Sequence, residues 1–112
     1  MPTNILQANT GQLAAASAAL YTAPTNTKAR IIKAVVCNDT TSVVTYSFWR
    51  VPSGDSADAT TLLVNARNLP SEESTQVDEL IGIVLEAGGA IHGKAGTANQ
   101  VTYHIDVAEV VE

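Results

Sequence analysis

The sequence predicts an all-β chain, folded as an antiparallel β-sandwich over residues 11–112 with an extended N-terminal arm over residues 1–10. Three observations carry that reading. Short β-branched or alternating runs recur about every 8–12 residues, separated by Gly, Pro, Asn and Asp clusters, which is the spacing of sandwich strands. Val101, Tyr103, Ile105 and Val107 alternate with Thr102, His104 and Asp106, the pattern of an antiparallel strand with one wet face. The length of 112 residues, 46% hydrophobic and 15% charged, suits one domain around a single modest core.

Each element follows from its own residues. Residues 1–10 are polar apart from Ile5-Leu6 and read as an arm. Residues 11–21 are ambiguous. Alanine favours helix, and Leu13, Ala16, Ala19 and Leu20 would share a helical face, yet Thr22-Ala23-Pro24 follows at once. Residues 29–37 are almost continuously apolar and β-branched, as in a buried strand. Asn38-Asp39-Thr40-Thr41 is a turn cluster. Residues 42–51 alternate, with Val44, Tyr46 and Phe48 on one face and Val43, Thr45, Ser47, Trp49 and Val51 on the other. A hairpin joining these two strands through 38–41 is the expected local pairing.

Residues 60–65 predict a third strand, and Leu69 to Ser74 a polar connection. Short strands are expected over 75–80 and 81–85, a turn at Glu86-Ala87-Gly88-Gly89, and further strands over 90–92 and 100–107.

Composition excludes several functions. Six Lys and Arg stand against eleven Asp and Glu, a net charge of -5. Such a domain repels phosphate backbones, so nucleic acid is not an expected partner. Lys28, Arg30 and Lys33 cluster, but as the solvated face of a strand. No apolar run reaches the ~20 residues of a membrane helix, and no basic leader opens the chain, so neither a membrane nor an export route is expected. The single cysteine, Cys37, predicts no internal disulfide; on an apolar strand it reads as a small buried hydrophobe.

Chemical motifs fall short one by one. His104 and Asp106 share a strand face, but no serine sits in a nucleophile elbow. Gly88, Gly93 and Lys94 have the spacing of a phosphate-binding loop, yet Ala95 stands where a hydroxyl should ligate magnesium, and a strand follows instead of a helix. Asp55 and Asp58 offer too few oxygens for calcium. Asn38-Asp39-Thr40 matches a glycosylation sequon and equally a turn. These gaps predict no enzyme, no cofactor and no metal. If the Phe48 face is core, Trp49 points outward to solvent or an interface, where Trp is enriched. With Ile5 and Leu6 of the arm, Trp49 completes the expected protein-contact residues.

Leu20-Tyr21-Thr22-Ala23-Pro24, the strand ending Val36-Cys37-Asn38, the stretch Ile83-Val84-Leu85-Glu86-Ala87-Gly88-Gly89-Ala90-Ile91 and the closing Val107-Ala108-Glu109-Val110 resemble small structural proteins of tailed-bacteriophage virions. The likeness spans residues 11–110. It implies a jelly-roll-like sandwich and a strand rather than a helix at 11–23. It also implies a non-enzymatic virion building block, foremost a capsid decoration (cement) protein. Its partners would be the major capsid protein or another virion protein, and further copies of itself as a trimer or dimer. A tail- or fibre-associated adaptor and a carbohydrate-binding module are the alternatives.

Overall fold

The computed structural model describes residues 3–111, with side chains described over 10–110. Among the described residues nine strands run in chain order: β1 (Thr3–Gln12), β2 (Ala18–Thr22), β3 (Thr27–Asn38), β4 (Val44–Val51), β5 (Leu62–Leu69), β6 (Ser74–Gln76), β7 (Val84–Leu85), β8 (Ala90–Ala95) and β9 (Val101–Val111). The first sheet has the order β1-β9-β3-β6, with β7 also on β3; the second has the order β2-β8-β4-β5. All pairings are antiparallel.

The pairings nest. β4 pairs β5, β3 pairs β6 and β7, β2 pairs β8, and β1 pairs β9. The chain is thus one long double ribbon rolled into two sheets, which is a jelly roll. The alternation of burial explains why the roll closes. Val101, Tyr103, Ile105 and Val107 of β9 are buried with Ala29, Ile31, Ala34 and Val36 of β3 from one side. From the other side they meet Val44, Tyr46, Phe48, Val64, Ile91 and Ala95. The Tyr46 and Phe48 rings meet edge to face with centroids 5.7 Å apart, a favourable quadrupole arrangement.

Two expectations change and one ambiguity resolves. The hairpin between residues 29–37 and 42–51 does not form, because β3 and β4 lie in different sheets. The cause is Asn38, whose side chain is fully buried. Its Nδ2 donates to the carbonyls of Ser42 (2.8 Å), Leu69 (3.1 Å) and Pro70 (3.1 Å), while its Oδ1 accepts from the Thr40 amide (2.9 Å) and hydroxyl (2.7 Å). That Asx turn carries the chain across the sandwich instead of back along the same sheet. The strand expected over 75–80 stops at Gln76. From there Val77 and Leu80 leave strand geometry to fill the core, both with no exposed surface. Turn bonds such as Leu80 N to Val77 O (3.1 Å) delay β7 until Val84. Residues 11–21 contain no helix: β1 runs to Gln12 and β2 begins at Ala18.

The segment 1–10 read as an arm falls largely in β1, which lies in register along β9 from Thr3↔Val110 to Gln12↔Thr102. Met1 and Pro2 lie outside the described residues.

One strained position yields a stability prediction. The pairing of β4 with β5 shifts between Tyr46↔Arg67 and Phe48↔Val64, so β5 carries a bulge. There Ala66 has φ 47° and its amide donates to the buried Ser47 Oγ at 2.8 Å. A Cβ in the left-handed region costs about 1–2 kcal/mol, whereas glycine loses about 0.5–1 kcal/mol more chain entropy on folding. Ala66→Gly is therefore expected to stabilise the fold by about 0.5–1 kcal/mol, read as a higher thermal midpoint. A lower midpoint would mean that the backbone at Ala66 is not left-handed.

Candidate assembly surfaces

The outer face of the first sheet is built on β3, whose register on β9 sets Lys28 beside Val110, Arg30 beside Ala108, Lys33 beside Asp106 and Val35 beside His104. Lys28, Arg30 and Lys33 are exposed, as expected of a solvated strand face. Lys28 Nζ lies 3.8 Å from Glu86 Oε2, a pair worth little in open solvent. Between the cations a register shift at Ile31/Lys33 turns Ile32 outward, 40% exposed, and Val84 of β7 is 42% exposed on the same flank. Cys37 belongs to this outer side, paired with Thr102 and Ser74. It is half-buried rather than in the core, because Val36 and Asn38 take the inward positions.

On the second sheet Trp49 does alternate away from Phe48. It sits between Leu62 of β5 and His92 of β8. Even so, only 9% of it is exposed, so its own chain already covers most of the ring. Ile5 and Leu6 pair in register with Ala108 and Val107; their side chains lie outside the described residues.

The motifs weighed for chemistry have structural roles. His104 is exposed between Thr10 and Val35, while Asp106 stands beside Lys33. Gly93 and Lys94 lie inside strand β8 rather than in a loop, and Gly93 is buried opposite Phe48. Asp58 Oδ1 accepts from the Thr60 amide (2.9 Å) and hydroxyl (2.6 Å), which holds its carboxyl below the usual range. The sequon asparagine is locked in the corner described above. Among the described residues no three His, Cys, Asp or Glu converge as a metal site.

Two contacts to glutamate carboxylates also tie the sheets together, and neither was read from the sequence. Arg67 of β5 makes a two-pronged ion pair with Glu79, in the turn after β6 (Nη1 to Oε1 2.9 Å). Tyr21 of β2 donates its hydroxyl to Glu109 of β9. Burial first, then the Glu109 carboxylate, pushes the Tyr21 phenol well above its ordinary range, and burial raises Tyr103 too. The partners stand 88 residues apart, so no local pattern announces them.

The raised phenols fix a pH dependence. Their folded-state proton affinity exceeds that of the unfolded chain, so the stability they confer is complete below about pH 10 and declines above it. Stability is expected to fall as pH rises past that point. Tyr21→Phe should cost about 1–2 kcal/mol at neutral pH and flatten the alkaline decline. Melting curves of both proteins between neutral and strongly alkaline pH test this; an equally steep decline in the variant would show that Tyr21 plays no part.

Comparison with solved structures adds the architecture of known proteins. A chain from the disulfide-linked pili of Bacillus endospore appendages superposes with a TM-score of 0.52 at 15% identity, covering 98% of this chain and 87% of that one. A chain from the structure of infectious bursal disease virus, Gx strain, gives a TM-score of 0.52 at 10% identity. It covers 98% of this chain, which spans 33% of the viral one. At such identities the likeness is one of fold. No family model and no curated protein matches the sequence.

Proposed function

We propose that this chain is a non-enzymatic structural protein of an assembled particle. More finely, it is a capsid decoration (cement) protein of a tailed phage that binds the outside of the shell and stabilises it. One observation carries the reading: in three of the stretches that resembled catalytic or ligand-binding motifs, the key residue is used to build the roll itself. Gly93 gives the core its clearance, Asn38 forms the corner, and Asp58 closes its own turn. What remains for function is surface and strand edge. The phage assignment rests on the sequence resemblance, and the two structural neighbours, which belong to a pilus and a virus by their descriptions, agree with a building block. A cement protein binds through many repeated contacts that a symmetric shell offers together. The major capsid protein is then the partner, and the assembled virion the location. The carbohydrate-binding alternative loses support, because Trp49 presents too little open ring for a sugar to stack on.

Quantitative mass spectrometry of purified virions against the major capsid protein tests the assignment. A copy number comparable to the capsid protein is expected. A few copies per particle would move the chain to the portal, tail tip or fibre base, and complete absence would overturn the virion role.

A further inference from the structure

Among the described residues four strand edges end the two sheets, and they are not alike. β2 has five residues and a register shift between Ala19 and Tyr21. β5 carries Arg67 and the bulge at Ala66. The far end of the first sheet is broken into β6, of three residues, and β7, of two. β1 ends the same sheet at the other side with ten residues, none charged and none proline. Natural edge strands are blunted by shortness, charge, proline or bulges, because an exposed ladder is a template for another chain. β1 has one such device, the shift between Gln7 and Asn9, and it leaves Thr3–Gln7 in unbroken register on β9.

We infer that β1 is a docking edge for β1 of a second copy, joined antiparallel about a two-fold axis at Ile5. This goes beyond the proposed particle role and does not depend on it. Such pairing sets Ile5 against Ile5, Asn4 against Leu6 and Thr3 against Gln7, and runs the two first sheets together as one. Charges of like sign at facing positions would repel across the axis; Thr3–Gln7 has no charge. The self-complementary contact also closes, because each copy's β1 edge is consumed by the other. A heterologous partner strand would instead leave a further open edge.

Sedimentation equilibrium of the purified full chain over a range of concentrations tests this. The mass of two chains is expected, against 11.7 kDa for one. Thr3→Lys with Gln7→Lys places two lysine pairs across the axis and should give a single-chain mass with an unchanged far-ultraviolet spectrum. Thr3→Lys with Gln7→Glu makes the same contacts attractive and should restore the dimer. A single-chain mass for the parent, a dimer that tolerates the double lysine variant, or a failure of the Lys/Glu variant to pair would each overturn the inference. If the double lysine variant does not fold, amide hydrogen exchange of the parent decides. Protection of Thr3–Gln7 that rises with concentration supports the pairing; concentration-independent exchange refutes it.

Discussion

Asn38→Asp is expected to be the most damaging conservative substitution in the molecule, costing about 3–5 kcal/mol at neutral pH. Against a typical domain stability of about 5–15 kcal/mol, that removes much of the margin. The reason is donor arithmetic. The two hydrogens of the Asn38 amide are shared among three carbonyls, on Ser42, Leu69 and Pro70. An ionised carboxylate supplies none and would be buried against three negative dipoles. The Oδ1 contacts with Thr40 would survive, so the loss is specific to the amide side. Asn38→Ala loses both sets but buries no charge, and about 2–4 kcal/mol is expected.

The pH response separates these causes. A carboxyl placed among carbonyl oxygens resists ionisation in the folded state, so its folded pKa lies above the unfolded one. The folded state then binds the extra proton, and the variant's stability falls as pH rises through that range. Its deficit relative to the parent should therefore narrow on acidification, whereas the deficit of Asn38→Ala should not. Urea unfolding of all three proteins at neutral and mildly acidic pH measures this. If Asn38→Asp stays within about 1 kcal/mol of the parent, the corner is not what directs β3 and β4 into separate sheets.

The same corner shows where sequence reading succeeds and where it stops. β9 was legible because its alternation reports directly on burial: Val101, Tyr103, Ile105 and Val107 are buried, and His104 is exposed. The run 29–37 was legible because its β-branched residues suit a strand whatever it pairs with. Partner choice was not legible. A turn cluster between two strands reads as a hairpin by default, and nothing local in Asn38-Asp39-Thr40 reveals that the Asn side chain reaches the carbonyls at 69 and 70. In a rolled ribbon only β4 and β5 pair with a near neighbour through one connection; β1 waits for β9 across most of the chain. Long-range pairing leaves its trace in packed side chains, and a single sequence does not record it. Tyr21 and Glu109 were invisible for the same reason. The exposure of Trp49 was misjudged because strand parity predicts direction, while burial also depends on what folds over that face.

Gly93 is where the motif reading and the packing reading make opposite predictions. A Cβ built at Gly93 would lie 2.8 Å from Leu20 Cδ1 and 3.0 and 3.1 Å from the Phe48 ring carbons Cε1 and Cδ1. The Leu20 approach is closer than real Cβ atoms show and the two ring contacts are tighter than most, and they come from both flanking strands, β2 and β4. Gly93→Ala is therefore expected to destabilise by about 1–3 kcal/mol, with Gly93→Val costing more. Leu20→Val withdraws the nearest methyl, so it should recover part of the loss when combined with Gly93→Ala. The pair should thus couple by more than about 0.5 kcal/mol in a double-mutant cycle. A phosphate-binding loop predicts the reverse: stability would be spared, and binding of a nucleoside triphosphate, judged by isothermal calorimetry, would be lost. Lys94 separates the two accounts independently. Its side chain is exposed, so Lys94→Ala should leave the melting curve within about 0.5 kcal/mol of the parent. Additive effects of Leu20 and Gly93 with an unshifted melting curve would mean that the inner face of the second sheet has slack at this point. The core could then not depend on the missing side chain to bring β2 and β4 against β8.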